Sequence, residues 1–271
     1  MFTFKNEYVN IVHIKTEKGM LMKKMVIAGM VGILTLLEAE SAMTVAKKSY
    51  EKMSGYQSSI SETKMVLKNA RGVANIRKMR IKKLEGNNGD RSLIVFLYPT
   101  DIKDTKLLSY EQIGTDDKQW LYLPALKRIK RISSRNKSGS FMASEFSYED
   151  IASQNYRNYS YKGEAEKVTR NGKKYLKVKR IPKDAHSGYS RQIVYIDPKT
   201  YLAMFGEYYD RNGRLLKKVS FLKYRKIKGI DRIVRMEMKN VQNGKSTLLV
   251  WESDKVKAGL NEADFSKRVL K

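Results

Sequence analysis

The sequence predicts a mainly β protein, a single curved antiparallel sheet with a few short helices covering its concave face. Three observations lead there. Segments with apolar residues at alternate positions recur between residues 61 and 251, and strand side chains alternate between faces with a period of two. Turn signals such as Asn87-Asn88-Gly89-Asp90, Asn171-Gly172 and Asn243-Gly244 separate these segments at hairpin spacing. The 271 residues hold only 4 prolines, no Ser/Gly-rich linker and no low-complexity block, so nothing marks a domain boundary. About ten or eleven strands result, and a sheet that large must curl, close or be covered because its edges and one face are otherwise exposed.

The elements follow in order. Thr44 is placed to cap a short helix running to about Met53, with Ala46, Tyr50 and Met53 at helical spacing. Residues 61–67 and 73–82 alternate on either side of a turn at 69–72 and form a hairpin. Residues 92–98 are a nearly continuous apolar strand, stopped by Pro99, which has no N–H to give to a ladder. Further strands are expected at 105–110, 118–123, 156–168, 173–181, 191–196, 202–209, 215–224, 232–239 and 246–251. Residues 261–270 close the chain as a short helix.

Lysine and arginine outnumber acids 55 to 28, a net charge of +27. Such a field draws a protein toward anionic lipid, lipopolysaccharide or nucleic acid and says nothing about fold. The N-terminal region narrows that choice. Lys23 and Lys24 precede an apolar run at 25–37, and small residues follow at Ala39, Ser41 and Ala42. That is the order of a secretory signal, and the run is too short to span a bilayer comfortably. Residues 1–21 are expected to be an upstream extension, 22–42 a signal peptide cut after Ser41 or Ala42, and 43–271 the exported domain. Removing 1–42 takes away five basic and four acidic residues and leaves +26, so the charge belongs to the exported part. A periplasmic location argues against nucleic acid as the partner. The absence of cysteine rules out disulfides, thiol nucleophiles and zinc–thiolate sites.

Residues 120–151 read as a lid. Trp120 and Tyr122 open a strand that breaks at Pro124, and the cations Lys127, Arg128, Lys130, Arg131, Arg135 and Lys137 follow as a basic loop. Ser138-Gly139-Ser140 supplies a hinge, and Phe141, Met142, Phe146 and Tyr148 supply large apolar groups beyond it. With Met65, Leu67, Met79 and Val95 of the preceding strands, Trp120, Tyr122 and these lid residues are the expected wall and cover of a ligand cavity. Lys127, Arg128, Lys130, Arg131 and Arg135 are the expected contacts to anionic head groups, because guanidinium groups take phosphate while neighbouring aromatics take acyl chains. The simpler readings are a solvated basic loop and ordinary core.

Catalysis finds little support. The exported part contains one histidine, His186, in an apparent hairpin loop, and no Gly-x-Ser-x-Gly elbow accompanies it. A histidine-based zinc site lacks partners, and no Gly-rich phosphate loop or EF-hand spacing occurs, so no cofactor and no metal are expected. Glu145, Glu149 and Asp150 lie close together, with Glu145 and Glu149 spaced to share a helical face. Such carboxylates can serve as acid and base; the simpler reading is that they neutralise the adjacent basic cluster or cap a helix end.

The central stretch, WLYLPALKRIKRIS followed by SGSFMASEFSYEDI, resembles the signature of the LolA-like family of exported proteins, often called outer membrane lipoprotein-sorting proteins. LIVFLYPTDIKDTKLL at 93–108 and YIDPKTYLAMFGEYYDRNGRLLKKV at 195–219 add to the likeness. Asp104 stands where the family usually has glycine, and Ala143-Ser144-Glu145 replaces its usual glycine-serine-aspartate. The resemblance implies a half-open β-barrel of about eleven strands around a hydrophobic cavity for the acyl chains of lipid or lipoprotein. It also implies association with exporters of the resistance-nodulation-division (RND) type, and an arginine that latches the lid, for which Arg77 and Arg80 are the candidates. Two other functions fit the composition: a basic docking module on an exporter or the envelope surface, with its cavity filled by its own side chains, and an envelope hydrolase using Glu145, Glu149 or Asp150.

Overall fold

The alternating segments assemble into one antiparallel sheet of 14 strands. The structure, a computed structural model, describes residues 40–152 and 154–271, all within the unit Ala39–Lys271. The expected extension and most of the expected signal peptide, residues 1–39, lie outside the described residues.

The strands are β1 (Ser58–Lys68), β2 (Ala74–Leu84), β3 (Arg91–Tyr98), β4 (Lys106–Tyr110), β5 (Lys118–Leu123), β6 (Arg128–Ile132), β7 (Tyr159–Tyr161), β8 (Glu166–Arg170), β9 (Lys173–Pro182), β10 (Tyr189–Ile196), β11 (Ala203–Asp210), β12 (Leu215–Ile227), β13 (Ile230–Asn240) and β14 (Ser246–Val256). Their order is β6-β5-β4-β3-β2-β1-β14-β13-β12-β11-β10-β9-β7, with β8 beside β9. Two meanders therefore meet where β1 pairs with β14, and β6 and the β7/β8 side remain as edges. The sheet is open rather than closed, a half-barrel.

Four elements differ from expectation. Helix α1 spans Ala42–Glu51 and is capped by Ser41, whose Oγ accepts from the Thr44 N–H at 3.1 Å, so Thr44 lies inside the first turn. The stretch expected as one strand at 156–168 is a single 3-10 turn followed by β7 and β8, because Gly163 turns the backbone at φ 65° between them. The C-terminal helix is two 3-10 turns, Glu262–Phe265 and Lys267–Leu270. Part of the expected basic loop is the edge strand β6, which pairs with β5 through Trp120↔Arg131 and Tyr122↔Ile129. Arg128, Lys130 and Arg131 are exposed there, and lysine or arginine on an edge strand discourages pairing with another chain.

Both faces of the sheet carry packed clusters, the outer one centred on β3–β5. On the inner face Met65, Met79, Ile94, Phe96, Leu107 and Leu121 form a buried cluster with Phe141 and Phe146 of the lid. A second inner cluster, Leu176, Val178, Val194 and Ile196, lies under Ala42 and Val45 of α1. On the outer face Leu93, Leu108 and Trp120 pack under Phe265 and Leu270. Lys106 and Tyr110 pin that cover by donating to the Val269 and Phe265 carbonyls at 2.7 and 2.5 Å.

Candidate functional site

The segment 137–152 crosses the inner face as a lid held by side chains from five strands and by the 184–188 turn. Ser147 and Asp150 form a capping box for the short helix α2 (Tyr148–Ile151), which fixes the lid's tip. Arg77 of β2 donates to the Met142 carbonyl, Thr247 of β14 accepts from the Glu145 N–H at 2.9 Å, and Gln119 of β5 donates to the Tyr148 carbonyl at 3.2 Å. Asp150, with its side chain 2% exposed, pairs with Lys217 of β12 at 3.0 Å, and both reach the Tyr189 hydroxyl of β10. Glu149 accepts from the Ser187 hydroxyl at 2.7 Å and the Gly188 N–H at 2.9 Å. Lys137 reaches across to Asp184 and, at 3.7 Å, to Asp116. A buried ion pair with its remaining bonding sites satisfied holds one arrangement rather than adding much net stability.

Burial, and then the neighbouring Asp150 charge, push the Glu149 carboxyl up to about 7. Of the two latch candidates, Arg77 performs the contact. Arg80 points to the outer face and pairs with Glu62 at 2.8 Å, both side chains about half exposed. The parity of β2 explains the difference: Arg77, Met79, Ile81 and Lys83 share the inner face, and Arg80 the outer one.

Between lid and α1 lies a cavity of about 290 Å³. Its apolar body is Met79, Ile81, Ile94, Phe146, Val178, Val194, Phe221, Met236 and Leu249, and Ala46, Tyr50 and Met53 of α1 close one side. One end is polar, with Lys83, Asp90, Tyr56, Arg232 and three serines, Ser59, Ser61 and Ser92.

The residues expected in the cavity separate into three groups. Met79 and Phe146 line it. Met65, Leu67, Phe141, Met142 and Tyr148 belong to the inner core cluster beside it, at the latched end of the lid. Trp120, Tyr122 and Val95 do not belong to this side: they sit in the outer cluster with Phe265, because strand alternation sends Leu121 and Leu123 inward instead. Lys127, Arg128, Lys130 and Arg131 are exposed at the β5–β6 edge and line no described cavity. Arg135 alone borders a separate polar cleft of about 990 Å³ with Glu145, His186 and Lys245. Of the two simpler readings of the acids, the helix-end cap holds for Asp150, whereas none of the three pairs with the 127–137 cations; Glu145 precedes the four-residue helix α2, so Glu145 and Glu149 share no helical face. The sequence reading missed Lys83, Arg232 and the serines; the clue was a lysine on the apolar parity of β2 after Met79 and Ile81.

A family model described as an uncharacterized protein matches residues 88–271. A crystal structure of a domain from Vibrio parahaemolyticus, named for outer membrane lipoprotein sorting, is 41% identical and superposes with TM-score 0.80 over 84% of this chain and 97% of that one. The chain belongs to the LolA-like family. A DUF1329 family protein from Desulfovibrio piger is similar to this LolA-like protein at 30% identity, TM-score 0.79, covering 85% and 98% of the two chains. A LolA superfamily protein from Nitrosomonas europaea shares the fold at 18% identity and TM-score 0.71, covering 85% and 100%. No curated protein sequence matches.

Proposed function

We propose that this LolA-like protein is an exported, non-enzymatic carrier that buries acyl chains of lipid or lipoprotein in the cavity between α1 and the lid. The observation that carries the reading is the cavity itself, about 290 Å³ of largely apolar space under a segment tied down by side-chain contacts rather than by the sheet ladder. Burying a chain there contributes roughly 0.8 kcal/mol per methylene, which supports useful affinity without chemistry. The relative from Vibrio parahaemolyticus is named for lipoprotein sorting, and a periplasmic site of action in lipid or lipoprotein traffic follows for this chain on the same reading. The net charge and the exposed cations of β6 suit contact with an anionic membrane surface, and an RND-type exporter is the partner we propose.

The acids of the lid support a mechanical role. Glu149 and Asp150 are engaged with Ser187, Gly188, Tyr189 and Lys217, each a tie between lid and sheet. Native mass spectrometry of protein purified from membranes, followed by titration with a fluorescent fatty acid, tests the carrier reading. Co-purifying lipid or saturable uptake is expected. A ligand-free chain that takes up no fatty acid would leave the docking-module reading standing in its place.

A further inference from the structure

The inner face of β2 carries a cation at each end of an apolar middle, Arg77 before Met79 and Ile81, Lys83 after them. Arg77 is spent on the lid. Lys83 has no hydrogen bond or ion pair with any described residue; burial, and then repulsion from Arg232, pull its ammonium below the ordinary lysine range against the pull of Asp90, Glu111 and Asp254. The surface left to its side chain is that of the cavity it lines.

Around Lys83 the room is made by small residues. Its direct cross-strand neighbours are Ser59 on β1 and Ser92 on β3, where strands of this kind ordinarily carry bulky side chains. The neighbouring charges are already engaged. Arg232 is bonded to Asp254 at 2.7 Å; Asp90 accepts from the Tyr56 hydroxyl at 3.2 Å and the Gly86 N–H at 3.2 Å; Glu111 accepts from the Asp90 N–H at 3.0 Å and the Asn158 amide at 3.0 Å. Asp90, Glu111 and Asp254 favour the Lys83 charge through space, but none of them bonds to its ammonium, and N–H donors left without an acceptor beside a void are costly until a ligand acceptor reaches them.

We propose that Lys83 is the head-group contact of the cavity, and that the natural ligand is a single-chain amphiphile ending in a carboxylate or phosphate monoester, its chain lying along Met79 and Ile81 toward Phe146. The inference rests on the carrier reading and adds the ligand's charge and orientation. It also moves head-group recognition from the exposed cations of β6 to the interior end of the sheet.

The test measures binding of cis-parinaric acid, a fluorescent long-chain carboxylate, and of its methyl ester to the full folded chain, with Lys83→Met and Lys83→Arg. Wild type is expected to bind the acid about tenfold or more tightly than the ester, the size of one hydrogen bond to a charged group. Lys83→Met is expected to bind the ester as before and lose the preference for the acid, and Lys83→Arg to keep most of it. Unchanged thermal melting shows that both variants fold. An equal affinity of wild type for acid and ester overturns the proposal, as does a preference that survives Lys83→Met; the cavity stands in either case. Binding of neither probe by wild type overturns the carrier reading together with it. Competition by unlabelled fatty acid against lysophosphatidic acid then tells carboxylate from phosphate, and competition that is identical in Lys83→Met counts against the assignment.

Discussion

The guanidinium of Arg77 donates to the carbonyl oxygen of Met142, at a point where the lid backbone is left-handed at both Met142 and Ala143, with φ 49° and 57°. Removing this donor frees the hinge side of the lid. Arg77→Leu is expected to weaken lid docking by about 1.5–3 kcal/mol, the range for a hydrogen bond involving a charged group. Amide exchange over 138–151 then speeds up while β1 and β14 stay protected. Arg80→Leu, which breaks only the exposed pair with Glu62, is the control and is expected to cost under about 1 kcal/mol. Equal exchange in the two variants would refute the latch.

Asp104 and Ala143 both lie in the left-handed region that favours glycine, at φ 62° and 57°. An alanine there costs about 1–2 kcal/mol, whereas aspartate tolerates the conformation. Ala143→Gly is therefore expected to stabilise the protein by about 1 kcal/mol after the entropy of the added glycine, and Asp104→Gly by much less. Denaturant midpoints decide, and a lower midpoint for Ala143→Gly contradicts the account.

Glu149 links lid docking to pH. Its carboxyl is raised in the folded protein to about 7, so the folded state holds a proton that the unfolded chain, with an ordinary carboxylate, has already released. The stability it contributes is present at acid pH and lost as pH rises from the ordinary carboxylate range through about 7. The facing groups are Asp150, Lys217, Ser187 and the Gly188 N–H. Lid exchange, corrected for intrinsic rates, is expected to rise over that window in wild type and to stay flat in Glu149→Gln. A pH-independent wild type would be inconsistent with this placement of the carboxyl.

Gly188 lets the lid come close. A Cβ at this position would lie 2.8 Å from the Ser138 Cβ and 2.9 Å from Glu149 Oε1. Gly188→Ala is expected to displace the lid, destabilise by about 1–3 kcal/mol and raise lid exchange. Thermal melting and exchange together check it, and an unperturbed lid would show that the 184–188 turn yields instead.

The start of α1 bears on processing. Glu40 bonds to Lys48 and Tyr201 at 2.8 and 2.6 Å, its carbonyl accepts from Ala165 at 2.8 Å, and Ala42 is 1% exposed. A cut after Ser41 or Ala42 discards these contacts and the cap, the cap alone being worth about 1 kcal/mol. We therefore expect the mature protein to begin at or before Glu40. The intact mass of exported protein measures this directly, and a chain starting at Met43 would argue against it.

Much of the sheet was legible because alternation and turn residues are local. Residues 118–123 match β5 outright, and residues 92–98 and 173–181 differ from β3 and β9 by one residue at one end. Edge strand β6 was not legible, since RIKRI carries the charge of a loop and only its pairing with β5 makes it a strand. The lid was visible as a hinge followed by aromatics, and its partners were not, because Arg77, Lys217 and Ser187 are distant in sequence and carry no motif.

The sequence by itself determined the sheet, the segment that crosses its inner face and the family, all of which rest on short-range spacing and residue type. Only the tertiary structure decided which face each strand turns to the cavity. A one-residue change of parity sends Trp120 and Tyr122 under the C-terminal turns while Leu121 and Leu123 face the lid core. The same parity puts Lys83 inside, where its three serine neighbours come from β1 and β3 and are brought to it by pairing. Cavity walls depend on which strands become neighbours, and that information exists only once the chain has closed on itself.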